Sequence, residues 1–204
     1  KKNKKKVNLC GNIGRPILDQ KIYINSNVII ELSSFQLFYS KFLKLDISMI
    51  LNLKKDHIDW HSSFKKYKEA KFRIFRNQKK SSHALLNEKG LIKYYNKNKF
   101  IPKLKKTLFS NIKNLRFESQ HLNSKVNKEN LSFVFDTIKL LGINKKNFIT
   151  SLKNYKGLEH RQEYFHKIGK TKFINDSKAT NFESAKNAIS NYKNIYWIVG
   201  GQPK

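Results

Sequence analysis

The stretch NDSKATN (175–181) sets a carboxylate, an ammonium and a hydroxyl on alternate residues: Asp176, Lys178 and Thr180. The preceding KTKFI reads as a strand and the following FESAKNAISNY as a helix. In open α/β sheets a strand-to-helix junction of this kind is where ligands bind. Glu31, in ELSSFQL, leaves an apolar run at its C-terminal end. Its carboxylate either points into such a crevice or stands in solvent. In NLKKDHIDWHSSFKKYKEAKFRI, His57 and His61 are four residues apart, a metal-like spacing on a helix. The segment reads as a loop without HExxH, however, and a structural zinc site needs more Cys or His ligands. Lys71 sits in an apolar-flanked helical stretch, EAKFRIF. Most lysines are surface groups. A buried one has a lowered pKa and becomes a nucleophile. Such an amine can take up CO2 as a carbamate, an oxygen ligand suited to Mg2+. Asn127 and Asn130, in NKEN, are three apart at a helix start. They either share a face that can hydrogen-bond an adenine edge, or Asn127 caps the helix. Arg161, in GLEHR, offers a guanidinium that can grip a phosphate bidentately, and Gly157 lets the chain turn before it.

These residues need elements to hold them. VNLC followed by GNIG reads as a buried strand entering a tight turn, NVIIELS and DISMILNL as further strands, and SFQLFYSKFL as a short helix. FKKYKEAKFRIFRNQ is a helix, with Ser62 and Ser63 as cap candidates. SHALL, LIKYY, TLFS and LRFES read as short β pieces across 82–118. NKENLSFVFDTIKLLGI and NKKNFITSLKNY are helices. EYFHKI, TKFIND, a helix from Asn181 and a strand-like IYWIVGG then begin a new unit, with the boundary near residue 160. Strands alternating with helices argue for parallel sheets covered by helices, an α/β fold.

Of 204 residues, 43 are Lys or Arg against 14 Asp or Glu, a formal net charge of +29. Such an excess raises nucleic-acid binding as a function class. Only five of the 43 are Arg, and the lysines run along the whole chain with abundant Asn and Ile, which is how an AT-rich genome drifts. No specific nucleic-acid partner is expected. Cys10 is the only cysteine, which excludes an internal disulfide and suits a reducing, cytoplasmic compartment. No apolar run approaches the roughly 18 residues of a membrane span. The chain starts KKNKKK without Met and stops at GGQPK, straight after a strand-like run, so both ends read as cut.

GNIGRP, ELSSFQL, NLKKDHIDWH with YKEAKFRIF, NKEN, GLEHR, NDSKATN and the late GG, in this order, resemble the Mur ligase family, and they span nearly the whole chain. ELSSFQL and NDSKATN resemble its D-glutamate-adding branch. The resemblance implies a parallel-sheet central ATPase domain of the P-loop type with a small β subregion (1–160), followed by the start of a Rossmann-like C-terminal domain (161–204). The family's Gly-rich phosphate loop is expected ahead of GNIG and is missing from the chain. The implied partners are UDP-N-acetylmuramoyl-L-alanine and D-glutamate, joined with ATP and Mg2+ through an acyl phosphate in peptidoglycan synthesis. By the same resemblance Glu31, His57 and a carbamylated Lys71 hold Mg2+, and Lys71, His57 and Lys178 are catalytic. Asn127, Asn130, Arg161 and Asp176 contact ATP. Asn12, Ser34, Thr180 and Lys204 contact the substrates. The expectation is a monomeric enzyme of which this segment alone is inactive. The other readings are a basic nucleic-acid-binding module and an inactive gene remnant.

Overall fold

The computed structural model describes residues 6–108, 112, 115, 122, 125–153, 155–190 and 192–201. Its chain divides into two compact units, one formed by 1–114 with 130–148 and one by 115–129 with 149–204.

In the first unit β1 (Val7–Gly11) and β2 (Asn27–Glu31) pair in parallel, Val7 opposite Asn27 and Gly11 opposite Glu31. A second parallel sheet has the order β3-β4-β5, from Ile47–Met49, His83–Leu86 and Lys103–Lys106. Both agree with the parallel sheets expected from sequence. The helices between are α1 (Ser34–Tyr39), α2 (Ile58–His61), α3 (Phe64–Phe72) and α4 (Lys89–Lys97). Ser63 caps α3, its side chain accepting from the Lys66 N–H. The core lies between the second sheet and α3–α4. Ala84 and Leu86 of β4 meet Tyr67, Phe72, Phe75, Leu91 and Tyr95. Phe72, Phe75, Tyr95 and Phe100 interlock edge-on, tilted or stacked with centroids 5.2–5.9 Å apart. The Tyr95 hydroxyl donates to the Pro102 carbonyl at 2.6 Å, and burial pushes the phenol up to about 12.

LIKYY differs from its sequence reading. It is part of helix α4, because Leu91 and Tyr95 are one helical turn apart and both enter the core. The four-residue strand β5, KLKK, has no apolar alternation that would reveal it. TLFS and LRFES lie largely outside the described residues.

Helix α5 (Lys125–Leu140) has residues in both units, and α6 (Lys145–Lys153) follows it. Phe135 and Phe148 pack at 5.7 Å within the first unit. In the second unit β6 (Glu163–Ile168) and β7 (Thr171–Asn175) form an antiparallel hairpin with an irregular register at Tyr164/His166. Two strands joined by Gly169 and Lys170 are too close in sequence for a parallel crossover. Helix α7 (Phe182–Ser190) comes next. IYWIV is not a strand: Tyr196 and Ile198 are almost fully exposed, and no described strand pairs with it.

Candidate functional site

Gly11 ends β1 with φ 103°, and a Cβ there would stand 2.2 Å from the Glu31 carbonyl oxygen. Only glycine allows that approach. The turn it makes brings the Asn12 N–H to the Glu31 carbonyl at 2.8 Å and Asn12 Nδ2 to Glu31 Oε1 at 3.3 Å. Two residues singled out in the sequence are thus joined at the C-terminal ends of a parallel pair.

Ser33 then opens α1 with a reciprocal capping box to Gln36. The next residue, Ser34, faces inward, with its Oγ 2.9 Å from His61 Nε2. Both residues are buried. His61 is reached because NLKKDHIDWH is not a plain loop but carries the one-turn helix α2. The ring stacks on Phe35 at 5.6 Å and meets Trp60 edge-on at 4.5 Å and Tyr67 at 5.3 Å. Burial lowers its pKa, the neighbouring His57 lowers it further, and Asp59 opposes both. The metal-like spacing of His57 and His61 therefore joins a buried neutral ring to Ser34, while His57 turns elsewhere.

His57 precedes α2 in the left-handed region, φ 51°. A bulky residue there is uncommon and often marks function. Its N–H donates to Asp56 Oδ1 at 2.9 Å, and its Nε2 lies 3.7 Å from Asp56 Oδ2. Lys71, in the last turn of α3, is half-buried. Burial lowers its pKa, while the carboxylates of Glu31 and Asp56 hold it up. Lys71 is thus an amine whose charged form is disfavoured by burial, with two carboxylates in electrostatic reach. Asp56 was missed in the sequence. Its signal was its place directly before His57.

Among the described residues no three His, Cys, Asp or Glu side chains converge as a metal-binding set. Glu31 and Asp56 are carboxylates in electrostatic reach of Lys71. A carbamate on Lys71 would add oxygens beside Glu31, donors of the kind Mg2+ takes.

In the second unit Asp176 directly follows β7, the hairpin's second strand. Its Oδ1 accepts from the Gln162 N–H at 3.1 Å. Burial raises its pKa, against the opposing pull of that hydrogen bond and of Arg161. Arg161 and Asp176 are thus electrostatic partners. The Lys178 N–H donates to the His160 carbonyl at 3.1 Å, and the Lys178 and Thr180 side chains are exposed. Asn181 caps α7, its Oδ1 accepting from the Ser184 N–H at 2.9 Å. Asn127 and Asn130 both lie within α5, on one face and two or more residues past its start at Lys125, so Asn127 is not its cap. Lys204 lies outside the described residues.

An α/β fold thus sets an Asn–Glu pair at the C-terminal ends of parallel strands and a helical lysine in electrostatic reach of two carboxylates. The Mur ligase middle domain family matches residues 17–152, and the chain belongs to the Mur ligase family. It is similar to the UDP-N-acetylmuramoylalanine–D-glutamate ligases of Rickettsia felis (33% identical, 96% of this chain and 48% of that protein) and Pseudothermotoga lettingae (30%, 96% and 47%). The chain spans about half the length of the curated relatives it matches. Its fold is similar to that of the ligase MurF from Thermotoga maritima solved with ADP, at TM-score 0.72 and 14% identity over 93% of this chain and 51% of that one. MurF from Acinetobacter baumannii aligns at TM-score 0.65 and 13% identity, over 91% and 53%.

Proposed function

We propose that the protein carrying this chain is an ATP-dependent, amide-forming ligase that adds D-glutamate to UDP-N-acetylmuramoyl-L-alanine in peptidoglycan synthesis. The observation that carries this reading is Lys71, a half-buried amine under the joint influence of Glu31 and Asp56. The names of the curated relatives support the choice of substrates. In this reading the substrate carboxylate takes the γ-phosphoryl group of ATP and releases ADP. The amine of D-glutamate attacks the acyl phosphate, phosphate leaves, the nitrogen loses a proton, and an amide remains.

The residues singled out above each have a part in this. Glu31, His57 and carbamylated Lys71 would hold Mg2+, with Asp56 orienting His57. Bound Mg2+ would neutralise the charge that develops on the transferring phosphoryl group. Asn12 holds the Glu31 carboxylate, and Asn12 and Ser34 serve the muramoyl side. Asn127 and Asn130 read the adenine edge. Arg161 and Asp176 meet the nucleotide, Lys178 the reacting phosphate, and Thr180 and Lys204 the D-glutamate side. We place the boundary between the central and C-terminal domains near residue 160, the protein in the cytoplasm as a monomer, and activity in the whole protein rather than in this segment.

The test is ligation by the whole gene product. Lys71→Ala should abolish most ATP-dependent incorporation of D-glutamate, and a small added carboxylate should restore part of it. Full turnover by the variant would rule out the carbamate.

A further inference from the structure

One residue, His160, joins the turn that carries Arg161 to the loop that carries Asp176 and Lys178, and none of the roles above uses it. Its N–H donates to Glu163 Oε2 at 2.8 Å, and its carbonyl accepts from the Lys178 N–H at 3.1 Å. Its ring Nδ1 lies 2.9 Å from Asn175 Nδ2. The Asn175 amide has a fixed orientation, because its Oδ1 accepts from the Ser177 N–H at 3.0 Å. The amide nitrogen therefore faces the ring, and an amide nitrogen only donates. Nδ1 must be the acceptor, which puts the ring proton on Nε2.

The backbone points the same way. His160 (φ 62°) and Gln162 (φ 48°) are both left-handed and flank Arg161. Non-glycine residues stay there only where their surroundings hold them. Gln162 is held by its bond to Asp176, and His160 by its three bonds.

We propose that His160 is a positioning residue: its Nδ1–Asn175 bond locks the Arg161 turn to the Asp176–Lys178 loop so that the two grip nucleotide as one unit. The proposal rests on the nucleotide-binding reading of Arg161 and Asp176. Glu163 Oε2 lies 3.6 Å from the same Nδ1 and accepts from the His160 N–H.

Two measurements on the whole gene product test this. Long-range proton–nitrogen NMR of labelled histidine should show the Nε2–H tautomer for the neutral His160 ring, moving toward a tautomer mixture in Asn175→Ala. In steady-state kinetics His160→Gly, which keeps the left-handed backbone, should raise KM for ATP about three- to tenfold with kcat little changed, the worth of one half-exposed hydrogen bond. His160→Asn, whose Oδ1 can accept in place of Nδ1, should restore KM. The Nδ1–H tautomer, an unchanged KM in His160→Gly, or a KM that stays raised in His160→Asn would each overturn the proposal. A wild-type protein that binds no Mg-ATP would sink the nucleotide reading and the proposal together, whereas the wrong tautomer sinks the proposal alone.

Discussion

Ser34→Ala is a one-atom perturbation with a calculable consequence. The Ser34 hydroxyl and His61 Nε2 are 2.9 Å apart, and the two residues are only 1% and 3% exposed, so water cannot replace a lost partner. Orphaning a buried polar atom costs about 1–3 kcal/mol, whereas replacing both partners by apolar groups of similar shape is nearly neutral. Ser34→Ala and His61→Phe should each destabilise by an amount in that range, the phenyl ring keeping the packing on Phe35, Trp60 and Tyr67. The double variant should fall short of the sum by about 1–3 kcal/mol. Urea unfolding followed by tryptophan fluorescence measures this, with Trp60 4.5 Å from the His61 ring as a local reporter. With a urea slope of about 2–3 kcal/mol/M, the single variants should move the midpoint by roughly 0.3–1.5 M. Single effects that add within about 0.3–0.5 kcal/mol would show that the pair is not coupled and refute the reasoning.

Because burial holds His61 below its ordinary value of 6.5, the unfolded chain takes up that proton first. His61 should thus contribute stability that is full above about pH 6.5 and lost as pH falls through the lower folded value, and His61→Phe should flatten this part of a pH–stability curve. Lys71, held below its ordinary 10.5, should take up labelled bicarbonate as a carbamate signal in carbon-13 NMR that grows with pH and is missing in Lys71→Arg. Gly11→Ala should unseat the Asn12–Glu31 junction, since its Cβ would stand 2.2 Å from a backbone oxygen; circular dichroism would show a lowered Tm, and an unchanged Tm would contradict the clash. Lys105→Met removes one charge from the Lys105–Asp136 pair, 3.4 Å apart with Asp136 at 1% exposure, and should cost about 1–3 kcal/mol in the same urea assay.

Local signals were readable wherever chemistry and periodicity coincided. ELSSFQL showed its strand end and helix start because Ser33 and Gln36 form a capping box. The Ser63 cap and the apolar spacing of α3 showed the helix that carries Lys71. The NDSKATN junction was legible because a strand, a turn-forming Asn–Asp and an Asn cap follow in order. What the sequence hid depends on tertiary contact. LIKYY has strand-like residues but folds as a helix because Leu91 and Tyr95 share one core-facing stripe. IYWIV has strand residues and no described partner strand. Nothing local shows that His61 turns inward to Ser34, 27 residues back, or that Asp56 acts on Lys71. The bond from His160 to Asn175 likewise spans 15 residues and depends on how the hairpin closes.

The most direct test of the ligase reading is to incubate the whole gene product with ATP, Mg2+, UDP-N-acetylmuramoyl-L-alanine and isotopically labelled D-glutamate, and to weigh the product by mass spectrometry. The account predicts one new amide carrying the label, with one ADP and one phosphate released for each bond formed, and most of it lost in Lys71→Ala. ATP consumed without incorporation of D-glutamate, or no product from a folded wild-type protein, would contradict it.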